Sequence, residues 1–259
     1  MHDLFCDVTV IPVLTIQREA DAIPLACALY DGGLRLIEVT LRTPAAPAAI
    51  AAITKEMPQI VVGAGTVQRP ADIAQACAVG ARFLVSPGMT PELAAAALAT
   101  ALPYIPGVAT PSEVMAARDL GISFLKLFPA EALRGLVLLR ALAPVFPGVA
   151  FCPTGGIDEH IASEYLALPN VPIVGGSWMA PDDAVAAGDW ARVRHLAQSP
   201  ASSDVGRRLG PDPSLRSRFW LNGSASPGVL HPTGYAARSE AERPALPERA
   251  EHRDEVAGR

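Results

Sequence analysis

Short runs of β-branched and aliphatic residues recur along the chain as far as about Ser199. Each run is followed by a longer stretch rich in Ala and Leu. The runs are "VTVIPVLTI" from Val8, "RLIEVTL" from Arg35, "IVVGAGTV" from Ile60 and "RFLVSPG" from Arg82. "PYIPGVA" from Pro103, "SFLKLFP" from Ser123, "AFCPTGG" from Ala150 and "PIVGGSW" from Pro172 complete the set. These eight runs begin 20 to 27 residues apart. Between them lie helical patterns with recognisable ends, such as "PADIAQACAVG", where Pro70 fits a helix start and Gly80 a helix stop. Alternating strand and helix imply a parallel sheet covered by helices. Eight regular units predict an α/β fold of the (β/α)8 TIM barrel class. The alternative, a doubly wound open sheet, usually carries a GxGxxG turn after its first strand, and the sequence has none there.

The pattern stops after Ser199. Residues 200–259 hold nine Arg, eight acidic residues and seven Pro, with no Ile or Met and single Phe, Trp and Tyr residues. A segment of that composition cannot bury enough apolar surface to offset the entropy of ordering it. The expected organisation is therefore a folded unit over 1–199 and a disordered, low-complexity C-terminal extension over 200–259. A partner-binding tail and an extension without a role both fit that composition.

Composition narrows the function classes. Half of the residues are hydrophobic while aromatics make up 5%, so Ala, Val, Leu and Ile must build the interior. A net charge of −5 gives no electrostatic reason to expect nucleic acid or an anionic membrane as partner. Cys6, Cys27, Cys77 and Cys152 are widely spaced and form no CxxC pair, a pattern that suits reduced thiols. The N-terminal "MHDLFCDVTVIPVLTI" lacks a basic region and carries Asp3 and Asp7 where a signal peptide is apolar. The apolar run Leu93 to Leu102 is too short to span a bilayer. Together these predict a soluble, cytoplasmic protein. None of the five histidines lies at the end of a run or in an HxH or HExxH spacing, so no metal site and no cofactor are expected.

One residue stands out against this background. Of 21 basic residues 19 are Arg, yet Lys126 sits inside the apolar stretch "GISFLKLFPAE". Side chains alternate along a strand, so Phe124, Lys126 and Phe128 share one face and Leu125 and Leu127 the other. The leucines suit the helix-packed side, which turns Lys126 inward. Burial disfavours a charged ammonium, and a neutral amine can attack a carbonyl to form a Schiff base. A lysine paired with a carboxylate, or one reaching out to the rim, is the bland alternative. In "LIEVTLRT" the same alternation puts Glu38, Thr40 and Arg42 on one face. Glu38 and Arg42 could form a structural ion pair. Equally, Arg42 could hold a substrate carboxylate and Glu38 could move protons beside an imine.

Glycines mark the ends of other runs. In "GAGT", Gly63 and Gly65 allow close backbone approach, and Thr66 supplies a hydroxyl. "CPTGGI" and "VGGSW" end the last two runs. Gly155, Gly156, Gly175, Gly176 and Ser177 there suit a phosphate site of loop amides and a helix N-terminus, unless they serve only tight turns. Thr154 falls on the inward face with Cys152.

The ordered set "EVTLRT", "GAGTV", "SPG", "KLFPAE", "FCPTGGI" and "GGSW" resembles the 2-keto-3-deoxy-6-phosphogluconate and 4-hydroxy-2-oxoglutarate aldolases, class I enzymes of the Entner–Doudoroff pathway. The resemblance covers about residues 8 to 197 and implies a homotrimeric lyase acting on a small 2-keto-3-deoxy phosphosugar acid. It also implies roles: Lys126 as the Schiff-base lysine, Glu38 as general acid and base, and Arg42 and Thr66 as the pyruvate carboxylate site. Thr154 and Phe128 are implied as further substrate contacts, and the paired glycines with Ser177 as the phosphate pocket. An aldolase for the 6-phosphogalactonate epimer is the nearest alternative, and a non-catalytic phosphosugar-binding barrel is one of another class. The family usually has a short helix before its first strand. With seven residues before Val8, either the floor of the barrel is thinly covered or the true start lies upstream.

Overall fold

The computed structural model describes residues 2–5 and 8–198; the extension expected over 200–259 lies outside the described residues. Strands β1 (Val10–Leu14), β2 (Leu36–Thr40), β3 (Val61–Gly65) and β4 (Leu84–Val85) occupy the first four apolar runs. The fifth run gives two short strands, β5 (Tyr104–Ile105) and β6 (Gly107–Val108), divided at Pro106. Proline has no N–H to give to a ladder, which is why the run breaks there. β7 (Phe124–Leu127), β8 (Ala150–Pro153) and β9 (Val174–Gly176) occupy the last three runs.

All of the pairings between these strands are parallel. They form a six-stranded sheet in the order β5-β4-β3-β2-β1-β9 and a three-stranded sheet in the order β6-β7-β8. Between strands run α2 (Ala22–Asp31), α3 (Ala46–Glu56), α4 (Pro70–Ala78), α5 (Pro91–Leu98), α6 (Pro111–Asp119), α7 (Gly135–Leu142) and α8 (Glu159–Leu166). After β9 come α9 (Asp182–Ala187) and α10 (Trp190–Ala197), and a single turn, α1 (His2–Phe5), precedes β1.

Helix starts follow local chemistry. Pro70, Pro91 and Pro111 each take a first-turn position, where their missing N–H costs nothing. Thr90 Oγ1 accepts from Leu93 N at 3.1 Å. Thr110 and Glu113 form a reciprocal capping box at α6. Gly80, at φ +85°, closes α4.

Alternation along the strands divides the buried side chains into two sets. Ile37, Val39, Leu125 and Leu127 pack with helix residues such as Ile50, Ile53 and Leu139. The opposite strand faces contribute Ile11, Leu36, Phe83, Val85, Ile105 and Phe124 to a second cluster. Phe5 of α1 belongs to that second cluster and is 1% exposed. Its ring meets Phe83 edge-on at 5.4 Å and Phe124 at 5.9 Å. The expectation of a thinly covered floor is thus corrected. Four residues are too few to display a helical period, so only the fold reveals that Phe5 closes this end.

Phe5→Ala removes a buried ring and is expected to destabilise the protein by ~3 kcal/mol. Urea unfolding reads the loss as a lower midpoint. An unchanged midpoint would show that α1 is not seated among the strands.

Candidate active site

Because the strands are parallel, their C-terminal ends lie on one side of each sheet, and the polar residues of the sequence collect there. Lys126 on β7 and Glu38 on β2 come from different sheets, yet Lys126 Nζ lies 3.3 Å from Glu38 Oε1. Both are almost completely buried, at 4% and 3% exposure. The Glu38–Arg42 pair that the sequence leaves open does not form. Space for the Glu38 side chain comes from its neighbour on β3: a Cβ at Gly65 would lie 2.1 Å from Glu38 Oε1. Gly63 does the same for the Phe83 ring beneath. Lys126 also faces the ring of Phe128, with Nζ 5.4 Å from its centre.

Cys152 is paired in register with Lys126 across β7 and β8. Burial pushes its thiol up to about 12, with Glu38 acting in the same direction and Lys126 and the Thr154 hydroxyl against it. At neutral pH it is a protonated, poorly nucleophilic thiol. Among the described residues, Lys126 is the one buried lysine.

Arg42 lies just beyond β2 and is exposed. Its Nε donates to Thr66 Oγ1 at 3.1 Å, and it has no carboxylate partner among the described residues. Thr66 holds φ +57°, a left-handed conformation that costs a β-branched residue energy. Leu41 N to Gly65 O at 2.8 Å and Val67 N to Val85 O at 3.1 Å tie the backbone on either side. That tension aims the Thr66 hydroxyl at Arg42.

A cleft of about 330 Å³ opens above the pair, and Lys126, Arg42 and Phe128 reach it. Thr154, Gly155 and Gly156 line one flank, and Gly176 and Ser177 another. Glu38 and Thr66 stand behind it, each bonded to a lining side chain. Gly175 lies underneath, bridged to Thr154. A side chain at Gly175 would strike the Thr154 hydroxyl at 2.3 Å. The backbone N–H groups of Gly156 and Ser177 donate to no protein acceptor among the described residues, so two amides are free at this end of the cleft.

Two features differ from the sequence reading. Among the described residues, the helices that follow the glycine loops carry acidic residues at their heads. Asp158 Oδ1 already accepts from His160 N and Ile161 N at 2.8 and 3.0 Å at the head of α8. Acidic Asp182 and Asp183 open α9, and Asp182 itself lines the cleft. Thr15 was not singled out, but it lines the cleft, and its hydroxyl lies 3.1 Å from Thr40 Oγ1. It directly follows β1, as Thr66 follows β3, so the strand-end rule that found Thr66 also locates it. Thr40, facing inward as expected, spends its hydroxyl on Leu14 O at 2.9 Å and ties β2 to β1.

This chain is similar to proteins of known activity along the whole folded region. A family model described as "Aldolase: KDPG and KHG aldolase" matches residues 2–196. A 2-dehydro-3-deoxy-phosphogluconate aldolase of Pseudoalteromonas atlantica is 48% identical over 205 residues, 79% of this chain and 95% of the relative. The crystal structure of KDPG aldolase from Legionella pneumophila, with pyruvate captured at low pH as a covalent carbinolamine intermediate, is 44% identical. It superposes with a TM-score of 0.76 over 78% of this chain and 98% of that one. The 2-keto-3-deoxy-6-phosphogluconate aldolase of Zymomonas mobilis with 3-phosphoglycerate is 46% identical, with a TM-score of 0.73 over 78% and 95% of the two chains.

The buried thiol gives a pH test. Folded Cys152 keeps its proton to about pH 12, whereas an unperturbed thiol loses it near 9.0. The unfolded chain therefore binds fewer protons in that window, and stability falls as pH rises through it. Cys152→Ala is expected to flatten that fall in urea titrations between pH 8.5 and 10 (about the onset of thiol ionisation). An identical slope in the variant would contradict the assignment.

Proposed function

The chain belongs to the KDPG and KHG aldolase family, and on that premise we propose how its own residues perform the reaction. The protein is a class I, Schiff-base aldolase of the Entner–Doudoroff type. It cleaves 2-dehydro-3-deoxy-6-phosphogluconate to pyruvate and glyceraldehyde 3-phosphate. The observation that carries the reading is the Lys126–Glu38 contact of 3.3 Å beneath an open cleft.

In the proposed sequence Lys126 Nζ attacks the C2 ketone, and the proton it sheds passes to Glu38. Glu38 gives that proton to the carbinolamine hydroxyl, which leaves as water, and the protonated imine that remains is an electron sink for the C3–C4 bond. Glu38, freed of its proton, accepts the C4 hydroxyl proton as glyceraldehyde 3-phosphate departs. It returns that proton to C3 of the enamine, and water then releases pyruvate. Acid and base steps of this kind need a group within hydrogen-bond reach of the reacting atoms, and Glu38 already stands at that distance from the nitrogen.

Arg42 holds the pyruvate carboxylate, with Thr66 orienting the guanidinium. Support comes from the Arg42–Thr66 bond and from the absence of a competing carboxylate among the described residues. Thr154 and Phe128 contact the middle of the substrate. The phosphate rests on the amides of the Gly155–Gly156 and Gly175–Gly176 loops and on Ser177, a reading supported by the two unused N–H groups. Binding energy from that remote group helps to orient the reacting carbons.

The finer architecture belongs to the same proposal. The two sheets close into one (β/α)8 barrel, since β5 and β6 are joined through Pro106, whose carbonyl accepts from Lys126 N at 2.8 Å. At the other seam Thr154 bridges Gly175 and Phe151 N donates to Asn170 O at 2.8 Å. We read the assembly as a homotrimer and the location as cytoplasmic. Among the described residues no helix is long and apolar enough to cross a membrane.

Lys126→Ala is expected to lower kcat for phosphogluconate cleavage by about 10³-fold or more, as loss of a covalent nucleophile does; residual turnover within tenfold of wild type (about 1.4 kcal/mol) would sink the assignment. Arg42→Ala should raise KM roughly tenfold or more, the worth of a charge-assisted carboxylate contact. A wild-type KM in that variant would place the carboxylate elsewhere.

A further inference from the structure

The segment that follows Lys126 ends in Glu131, a residue the reaction above does not use. Its surroundings tie it to the glycine loop at the far end of the cleft. Ala130 N donates to Thr154 O at 2.9 Å and Glu131 N donates to Gly155 O at 3.1 Å. Gly155 and Gly156 hold φ of +101° and +79°, a region open to glycine among many others, so contacts from outside the loop help to fix its shape. The Phe128 ring and Pro129 pack on Gly155, where a Cβ would meet them at 3.3 to 3.4 Å. The Cβ and Cγ of Glu131 pack on Gly156, where a side chain would meet them at 2.8 and 3.0 Å.

The Glu131 carboxylate does not turn into the cleft. Its Oε1 accepts a short hydrogen bond from the Tyr165 hydroxyl. Tyr165 is fully buried on α8, the helix that the glycine loop leads into. Gly135 makes room for the phenol: a Cβ there would lie 2.5 Å from the Tyr165 oxygen. Burial first, and then the bond to Glu131, raise the phenol well above its ordinary range, so it remains a donor throughout the working pH range. Chain and hydrogen bonds form a closed ring from the loop to α8, through Tyr165 to Glu131, and back to the loop.

We propose that Tyr165 and Glu131 form a positioning pair that holds the Gly155–Gly156 loop ready for the substrate phosphate and keeps the Glu131 carboxylate turned away from it. The inference rests on the aldolase reading above. Without the phenol the carboxylate is free beside Gly156, where it repels a phosphate dianion, and the Glu131 stem packed on Gly156 loses its anchor. Substrate atoms near Lys126 do not feel this change. The pair therefore governs discrimination between phosphorylated and unphosphorylated keto acids.

The test compares wild type, Tyr165→Phe, Glu131→Ala, Glu131→Gln and the Tyr165→Phe/Glu131→Ala double variant. Each is assayed on 2-dehydro-3-deoxy-6-phosphogluconate and on 4-hydroxy-2-oxoglutarate, which has no phosphate. Tyr165→Phe is expected to raise KM for the phosphorylated substrate roughly fivefold to tenfold, the effect of about one ordinary hydrogen bond. Its kcat and its kinetics on 4-hydroxy-2-oxoglutarate stay at wild-type values. Glu131→Gln, which keeps an acceptor for the phenol, retains a KM near wild type, and the double variant is no worse than Tyr165→Phe. An unchanged KM in Tyr165→Phe, or an equal rise on both substrates, overturns the positioning role while leaving the aldolase assignment intact. If wild type itself gains nothing from the phosphate, the phosphate reading fails and the pair's role falls with it.

Discussion

An ammonium and a carboxylate 3.3 Å apart, each less than one-twentieth exposed, set the terms for everything around them. Withdrawing two charges from water is expensive, and their mutual attraction repays it only in good geometry. Leaving either one alone is worse, costing about 3–5 kcal/mol. The fold must therefore bring β2 and β7, which belong to different sheets, into one accurate juxtaposition. It does so with small residues and large ones together. Gly65 gives Glu38 its place, while Phe5, Phe83 and Phe124 pack together in the apolar cluster on the same strand faces. A pair held at such cost is a weak device for stability; in the proposed reaction the arriving carbonyl relieves it.

The two ends of the cleft are built by different means. Around Lys126 the groups stand on strands, which fix side chains well. Even Thr66, at the end of β3, is held in a strained conformation by bonds on both sides of it. At the glycine end the cleft is lined largely by backbone, and backbone loops need bracing from elsewhere. The 128–131 segment supplies that brace through two main-chain bonds to the loop and through side chains packed on both glycines. One stretch of eleven residues, Gly121 to Glu131, thus carries both the lysine proposed as nucleophile and the support for the glycine loop.

Much of this was legible in the sequence because parallel strands buried on both faces leave a strong apolar signature. All eight runs became strands, and alternation correctly turned Lys126 and Glu38 inward while Leu125 and Leu127 joined the helices. What alternation cannot give is which inward groups meet. Glu38 had two possible cationic partners in the sequence, Arg42 beside it and Lys126 far along the chain, and only the fold chose the second. The cover supplied by Phe5 was hidden by the shortness of α1. The role of Asp158 as a helix cap, rather than a free N-terminus, depends on a hydrogen bond that no spacing reveals. Tyr165 and Glu131 lie 34 residues apart, and nothing in either local pattern joins them.

The central claim is that Lys126 captures a keto acid covalently. Borohydride reduction of the protein in the presence of pyruvate, followed by peptide mapping, examines it directly. The account predicts one stable adduct, on the peptide containing Lys126, with Lys55 unlabelled. Labelling at Lys55 instead, or no adduct at all in a protein that still cleaves its substrate, would contradict it.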